Sequence, residues 1–478
     1  MYDKATAQIN TEIENGNYIQ VDQAALIVSP IAVIPKSDGG VRLIHDCSKP
    51  TGLAVNDYVS ELDKQRFQSV DDAVKLVTPF CYMAKVDLKS AYRSVPISKH
   101  SQKVTGLKWE FKDGPRYLVD TKLPFGSKSA PGIFHRLSQS VRRMMRRKGF
   151  KIVAYLDDFF LCETTKSKCL TALNTLLGLL RKLGFMISWA KVIGPTQKLT
   201  FLGIEIDSAT MSTRLPDAKL LALREELASF SSKLRASKKQ LQSLAGKLNW
   251  AASVIYGGRC FLRRILNAIC TLKHKAHKIR LVGEIRQDID WWLQFMSTFN
   301  GKSFLLDKRP ITDIHTDACV DGGGGCLGND WFYANWQQDF PDIMPLHINE
   351  KEVFAVTLAV TRWAPLLRNR RILIHSDNMV TVNCINKGTS RNETIMHSLR
   401  TFFWLSAYYN FHITACHIPG KHNVTADTVS RLSESSFFWE WLAAIATPYR
   451  SVDLTAHMSS KAFHSLLSRH GTTTEQPR

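Results

Sequence analysis

The spacing of apolar residues changes along this chain, and each change marks a different kind of element. Over residues 1–212, short apolar runs bounded by turn residues alternate with stretches at helical spacing. Residues 31–34 and 41–44 flank Ser37-Asp38-Gly39-Gly40 and predict a hairpin. Strands are expected around 82–88 and 152–162. Leu173, Leu176, Leu177 and Leu180 share one helical face, and Gly184 stops that helix. Over residues 214–275, Leu241, Leu244, Ala245 and Leu248 repeat at helical spacing behind a capping box of Ser237 and Gln240, which predicts a small helical domain. A second mixed pattern begins near residue 310. It reads as a strand through His315, a glycine turn over 321–325, a helix from Asn349, and strands at 372–374 and 413–418. The last residues, 471–478, form a polar tail expected to fray. The expected class is therefore multidomain α+β, divided as 1–212, 213–305, 306–435 and a tail over 436–478.

Composition narrows what such a chain handles. Its 478 residues, 44% hydrophobic and 22% charged, can bury real cores and suit roughly two to four domains. The net charge of +21 points to a polyanionic partner, because lysines and arginines gain affinity by displacing counterions from phosphates. An anionic membrane surface would attract the same charge. However, the sequence holds no long uninterrupted apolar run, and Tyr2, Asp3 and Lys4 open a polar stretch unlike a signal peptide. The expectation is an intracellular protein of cytoplasm or nucleus with no membrane partner. Cys47, Cys81, Cys162, Cys169, Cys260, Cys270, Cys319, Cys326, Cys384 and Cys416 form no CxxC pair, which argues for reduced thiols and against a zinc knuckle. Arg142, Arg143, Arg146, Arg147 and Lys148 make a dense basic run, expected to aid backbone binding of nucleic acid or to be a solvated helix face.

Two acidic sites interrupt apolar runs in the first region: Val86-Asp87-Leu88 and Ala154-Tyr155-Leu156-Asp157-Asp158-Phe159-Phe160. Carboxylates gathered there repel one another and lose hydration. Hard divalent cations such as Mg²⁺ would offset both costs, and two of them can drive phosphoryl transfer. Taken alone, Asp157-Asp158 also reads as a plain turn pair.

The order of motifs around these acids resembles reverse transcriptases. Tyr155-Leu156-Asp157-Asp158 resembles their YxDD box, and Val86-Asp87-Leu88-Lys89-Ser90-Ala91-Tyr92 resembles their first palm motif. The resemblance implies that Asp87, Asp157 and Asp158 hold two Mg²⁺ ions, with Mn²⁺ as a possible substitute. It also implies that Tyr92 lies under the sugar of the incoming nucleotide and excludes a 2′-hydroxyl. Leu123-Pro124-Phe125-Gly126-Ser127-Lys128-Ser129-Ala130-Pro131 resembles the template and nucleotide-positioning motif, giving Phe125 and Gly126 a substrate role. Ile34-Pro35-Lys36-Ser37-Asp38-Gly39-Gly40-Val41-Arg42 resembles the fingers hairpin, with Lys36 and Arg42 on the triphosphate. Lys191, followed by Phe201-Leu202-Gly203, resembles the last palm motif and primer grip. Each residue also has a plain reading: Tyr92 as a core tyrosine, Lys36 and Arg42 as solvated edge charges, Phe125-Gly126 as turn chemistry, Lys191 as a surface lysine.

A second set of acids lies on separate elements beyond residue 310. Asp317 follows the strand through 314–316, Glu352 opens a helix over 353–363, Asp377 ends the strand over 372–376, and Asp427 sits in a helix start. Capping offers plain readings: Glu352 boxed with Asn349, Asp377 capping the next helix, Asp427 in a first turn. In this order, Thr316-Asp317-Ala318, Glu352-Val353-Phe354-Ala355, Ser376-Asp377-Asn378 and Ala426-Asp427-Thr428-Val429-Ser430-Arg431 resemble RNase H. The resemblance implies a second two-metal site that cuts the RNA strand of RNA–DNA hybrids, with His417 and His422 as candidates for its assisting histidine.

The resemblance implies a right-hand polymerase with fingers, palm and thumb, followed by an RNase H-like domain. The partners it implies are an RNA template, a DNA primer, RNA–DNA hybrid and dNTPs. Arg42-Leu43-Ile44-His45-Asp46-Cys47-Ser48, Gln242-Ser243-Leu244-Ala245-Gly246-Lys247-Leu248-Asn249-Trp250 and Gly258-Arg259-Cys260-Phe261-Leu262-Arg263-Arg264 look more like DIRS-type retrotransposons than gypsy-type ones. No protease, zinc-binding integrase head or tyrosine recombinase motif is visible, so the chain reads as one segment of a larger element or a domesticated copy. A catalytically dead nucleic-acid-binding descendant would have lost metal ligands, yet all seven acids stand.

Overall fold

A computed structural model describes residues 1–36, 39–60, 65–255, 258–298, 301–303, 311–409 and 411–432. Ser37 and Asp38 of the expected turn, and the expected tail over 436–478, lie outside the described residues. The chain divides into two compact units, Met1–Met211 and one that begins at Ser212.

The first unit opens with helix α1 (Tyr2–Glu14), strand β1 (Tyr18–Val21) and the hairpin β2 (Ile31–Pro35) and β3 (Val41–His45), paired with Ile34 opposite Arg42. There follow β4 (Tyr82–Asp87), β5 (Gly106–Phe111), β6 (Gly114–Asp120), helix α2 (Ala130–Arg147), β7 (Ile152–Tyr155), β8 (Asp158–Glu163), helix α3 (Lys166–Lys182) and β9 (Ile193–Thr196). A four-stranded antiparallel sheet in the order β9-β4-β8-β7 forms the centre. Helices α2 and α3 close one side of it. Phe134 and Val141 of α2 meet Val86, Phe159 and Leu161 of the sheet, and Leu173, Leu176 and Leu180 of α3 join them. Gly184 takes φ +80° just past α3, the left-handed turn that the helix stop requires. In a smaller layer, α1 seats Ala5 and Ile9 against Tyr18, Leu107 and Leu118.

The expected strand over 152–162 is in fact a hairpin. Tyr155 pairs directly with Asp158, so Leu156-Asp157 is a two-residue turn, with Leu156 at φ +49°. A leucine is an unusual choice for this left-handed position, and the turn falls one residue before the Asp157-Asp158 pair that reads as a turn in the sequence.

The second unit begins with helices α4 (Asp217–Ser232), α5 (Lys238–Ala251), α6 (Arg263–Thr271) and α7 (Glu284–Thr298). The capping box of α5 is present: Ser237 Oγ accepts from the Gln240 N–H at 3.3 Å, and Gln240 Oε1 accepts from the Ser237 N–H at 2.9 Å. Next come β10 (Ile311–Ala318), β11 (Gly322–Leu327), β12 (Asp330–Asn335), α8 (Ile348–Trp363), β13 (Arg371–Ser376), α9 (Met379–Lys387), α10 (Glu393–Tyr409), β14 (His412–His417) and α11 (Val424–Ser430). They build one five-stranded sheet, β12-β11-β10-β13-β14, in which β10, β13 and β14 run parallel and the other pairs antiparallel. Helix α8 is buried on nearly every side from Lys351 to Val360 and packs Val353, Val356, Val360 and Trp363 in the core with Leu399 and Phe402 of α10.

The glycine turn expected over 321–325 is instead strand β11. A Cβ on Gly323 would stand 2.3 Å from the Trp336 ring, one on Gly324 2.6 Å from Val429, and one on Gly325 2.9 Å from the His315 carbonyl oxygen. These glycines are required by close neighbours on the sheet, and a strand without side chains carries no alternation to read.

Within this unit the helices and the sheet share a core. Phe261 stacks on Trp291 at 3.5 Å and meets Phe403 of α10 edge-on at 5.4 Å. Asp288 of α7, buried, lies 3.0 Å from Arg400 and 3.3 Å from Arg264. Burial pushes its carboxyl up to about 7 even against those two cations. Among the described residues no helix is long and apolar enough to cross a membrane.

Candidate active sites

The first site lies at one end of the central sheet. β4 ends at Asp87, β8 begins at Asp158, and the two residues are paired across the ladder. Asp157 sits in the adjoining turn, where its carbonyl accepts from the Leu88 N–H at 3.0 Å. Strand pairing thus gathers three acids from distant parts of the sequence. Burial pushes the Asp157 and Asp158 carboxyls upward, and the Asp87 charge adds to the push on both. Two lysines offset the repulsion. Lys191 Nζ lies 3.1 Å from Asp87 Oδ1, and Lys85 Nζ lies 3.2 Å from Asp158 Oδ1. The acids therefore already hold cationic groups, which is the chemistry a divalent ion needs.

Tyr92 stands on a 3₁₀ turn, Ala91–Ser94, that begins four residues after Asp87. Its ring lies 5.5 Å from both Phe125 and Phe134. Burial raises its hydroxyl pKa, and the Asp157 charge adds to that, so the ring is close enough to feel the acids. Phe125 is 39% exposed, and the Arg42 guanidinium lies over its ring at 5.4 Å. Gly126 has φ +146°, and a Cβ there would fall 1.8 Å from the His45 carbonyl oxygen. Only glycine lets this loop pass so close to β3. Lys36 lies exposed just after β2, its N–H donating to the Gly40 carbonyl at 2.9 Å. Arg42, Phe125, Gly126 and Tyr92 thus form a connected surface, and Lys191 touches Asp87 itself. Sequence reasoning missed Lys85, although residues two apart on a strand share a face and the spacing Lys85-Val86-Asp87 held the signal.

The second site rests on the five-stranded sheet. Asp317 lies inside β10, not after it, because the strand continues to Ala318. Glu352 lies in the second turn of α8, not at its start. The helix begins at Ile348, and His347 with Glu350, not Asn349 with Glu352, forms the capping box. Asp377 follows β13 directly, and Asn378 rather than Asp377 caps α9, accepting from the N–H groups of Val380 and Thr381. These placements leave Glu352 and Asp377 free of capping duty. Carboxylate oxygens of Asp317, Glu352 and Asp377 all lie within 4.8 Å of one another.

Burial pushes Asp317 up to about 6 and Glu352 up to about 9, with the neighbouring acids adding to each. Glu352 Oε2 is buried without a hydrogen-bond partner among the described residues. An orphaned oxygen in a nest of acids fits a hard divalent cation. Ser430 Oγ donates to Asp317 Oδ2 at 2.6 Å, and Asn423 Nδ2 donates to the Thr316 carbonyl at 2.9 Å, which pins α11 to β10. Asp427, on that helix, stays outside the group of three and accepts from Arg431 Nε at 3.0 Å. His417 pairs with Ser376 beside Asp377 through the strand ladder, and His422 lies on the 3₁₀ turn Gly420–His422. Gly420 opens that turn against Asp377, since a Cβ on it would approach Asp377 Oδ2 to 3.0 Å. Sequence reasoning did not single out Ser430 or Gly420, because their roles depend on contacts the chain order hides.

The raised acids predict a pH effect. Glu352 and Asp317 keep protons in the folded unit that they release on unfolding, where a glutamate titrates at about 4.3. Their contribution to stability is present at low pH and is lost as pH rises towards about 9. A divalent ion binds the deprotonated acids, so the rise in Tm on adding Mg²⁺ should grow from about pH 5 to about pH 9. Thermal melts with EDTA and with Mg²⁺ measure it, and an equal Mg²⁺ effect at both ends would contradict the acid cluster as a cation site.

Residues 34–206 match the family of reverse transcriptases (RNA-dependent DNA polymerases). The enzymatic polyprotein of carnation etched ring virus is 27% identical over 387 residues, 76% of this chain and 53% of that one. The enzymatic polyprotein of figwort mosaic virus is 24% identical over 394 residues, 77% of this chain and 53% of that one. The chain thus spans about half the length of these relatives. Among solved structures, the foamy viral protease-reverse transcriptase in complex with double-stranded DNA aligns with a TM-score of 0.55 at 20% identity, covering 87% of this chain and 82% of that one. The same foamy viral protein in complex with RNA/DNA hybrid aligns with a TM-score of 0.54 at 20% identity, covering 87% and 53%. The likeness is one of fold: multidomain and mixed α/β, a polymerase fold together with a further domain.

Proposed function

We propose that this chain is an RNA-directed DNA polymerase whose second site degrades the RNA strand of RNA–DNA hybrids, in the service of a retroelement. The observation that carries the polymerase reading is the meeting of Asp87, Asp157 and Asp158 at one sheet end beside Tyr92, inside the region that matches reverse transcriptases. The hybrid-degrading reading rests on the three converging acids of the second unit. Divalent ions, Mg²⁺ with Mn²⁺ as substitute, would supply at both sites the charge that activates an attacking oxygen and stabilises a leaving one.

The chain's own groups do the rest. Asp87 and Asp157 would be the main metal ligands of the first site, with Asp158 supporting them. Lys191, 3.1 Å from Asp87 Oδ1, balances the charge of the acids that would hold the cations. Lys36 and Arg42 neutralise the triphosphate of an incoming dNTP, and Arg42 is oriented over Phe125. Gly126 lets the nucleotide-positioning loop lie against β3. At the second site, Asp317, Glu352 and Asp377 would hold the cations, with Asp427 as a fourth acid. The 2′-hydroxyl distinguishes the attacked strand as RNA. The reading assigns fingers and palm to 1–212, a helical thumb and connection to 213–305 and an RNase H-like domain to 306–435, with a nucleic-acid duplex as substrate. The basic stretch 233–247 would grip its phosphates without reading sequence. We place the element nearest the DIRS type, on the motifs at 42–48, 242–250 and 258–264.

Primer extension on an RNA template, with Mg²⁺ and then with EDTA, tests the assignment: product is expected only with the metal. Tyr92→Ala should raise ribonucleotide insertion relative to deoxynucleotide by roughly tenfold or more, since its ring would no longer meet a 2′-hydroxyl. Unchanged sugar selectivity would remove Tyr92 from this role.

A further inference from the structure

Arg93, the residue after Tyr92, is held on several sides at once. Its Nη1 donates to both carboxylate oxygens of Asp120, at 2.7 and 2.8 Å, and Asp120 is fully buried at the end of β6. Its Nε lies 3.2 Å from Glu12 Oε2 on α1, its Nη2 donates to the Tyr18 hydroxyl on β1 at 3.0 Å, and its guanidinium lies over the Tyr18 ring at 5.0 Å. Glu12 is itself fixed, accepting from Gln8 at 3.1 Å and Asn17 at 2.8 Å. A planar guanidinium with this many fixed partners has one orientation. Two of those partners, Glu12 and Tyr18, precede the family match that begins at residue 34.

We propose that the N-terminal segment α1–β1 sets the sugar selectivity of the polymerase site, with Glu12 and Tyr18 acting as positioning residues for Tyr92 through Arg93. The inference rests on the reading of Tyr92 as the residue that meets the nucleotide sugar. The turn Ala91–Ser94 is short, and its first backbone bond runs from the Arg93 N–H to the Ser90 carbonyl at 2.8 Å. Fixing Arg93 therefore fixes the backbone on which the Tyr92 ring is mounted. The ring packs on Phe125 and Phe134 and on the apolar cluster of the central sheet, contacts that resist compression but allow sliding. The polar clamp supplies the direction that ring packing leaves free. Rejecting a hydroxyl-sized difference needs a wall held to a fraction of an ångström, so the clamp acts on selectivity before it acts on rate.

The test uses Glu12→Gln, which keeps the side-chain volume and removes the charge, and Tyr18→Phe, which removes one hydroxyl and keeps the ring. For each, kcat and KM are measured for a deoxynucleotide and its ribonucleotide counterpart in the full chain. The deoxy-over-ribo ratio of kcat/KM is expected to fall roughly fivefold in Glu12→Gln, a fraction of the about hundredfold that a misplacement of about 1 Å can cost. Tyr18→Phe should lower it less. In a Tyr92→Ala background neither change should move the ratio further, because the wall they position is gone. Equal losses for both sugars, or a ratio that still falls in that background, would overturn the proposal. If Tyr92→Ala moves the ratio and Glu12→Gln does not, the positioning role fails and the role of Tyr92 stands. If Glu12→Gln moves it and Tyr92→Ala does not, both the role of Tyr92 and the route through it fail.

Discussion

Asp157→Asn is expected to abolish primer extension, by at least about a thousandfold, while template–primer affinity changes by no more than about twofold. The substitution keeps the shape of the side chain in the turn between β7 and β8 and removes its charge. The backbone carbonyl that accepts from Leu88 is untouched, so the hairpin keeps its register. The wild-type carboxylate is disfavoured by burial and by Asp87, so the variant should melt no lower than the parent in metal-free buffer. On the proposed reading, nucleic-acid affinity would come from the basic residues spread along the chain, not from this acid. Single-turnover extension and fluorescence anisotropy at one salt concentration separate the two effects. Lost binding with residual chemistry unchanged would place Asp157 in the wrong role.

Asp377→Asn should produce the opposite phenotype. Degradation of the RNA strand in a labelled hybrid is expected to fall by about two to three orders of magnitude, while extension stays near the parent rate. Asp377 belongs to the cluster with Asp317 and Glu352, and its charge helps push both of their carboxyls upward. Removing it relieves that repulsion and also removes a proposed cation ligand, so the metal-free variant should be at least as stable and gain less from Mg²⁺. Both variants belong on one hybrid substrate at matched salt. If Asp377→Asn stopped extension in a folded protein, two independent sites could not be maintained.

The parts legible in the sequence were those in which chemistry and chain order coincide. The Asp87 and Asp157-Asp158 motifs stand at strand ends, so local patterning located them, and strand pairing completed the convergence. The heptad-like leucines of α3 and the capping box of α5 were readable because helices are specified by residues close in sequence. The misreadings share a cause of a different kind. β11 is written in glycines because Trp336, Val429 and His315 crowd it from distant positions, so its local signal is that of a turn. The turn at Leu156-Asp157 begins on a leucine within an apolar run, so its position falls one residue before the Asp157-Asp158 pair that carries the turn signal. The start of α8 was misplaced because Asn349 and Glu352 have box spacing, yet His347 and Glu350 occupy it. The partners of Arg93 lie in α1, β1 and β6, and no spacing rule joins them.

The ring stack of Phe261, Trp291 and Phe403, with Asp288 held between Arg264 and Arg400, bears on where the second unit can be cut. A fragment starting near residue 306 would keep the five-stranded sheet but expose Phe403 and leave Arg400 facing water without Asp288. It would also lose the partner of the Gly388 carbonyl, which accepts from Cys260 Sγ at 3.1 Å. Such a piece should be poorly soluble and melt early, whereas a fragment starting at Ser212 keeps every one of these contacts. Limited proteolysis of the intact chain should accordingly release one resistant species carrying helices and sheet together, because the stretch 258–298 and the sheet would open as a single cooperative block.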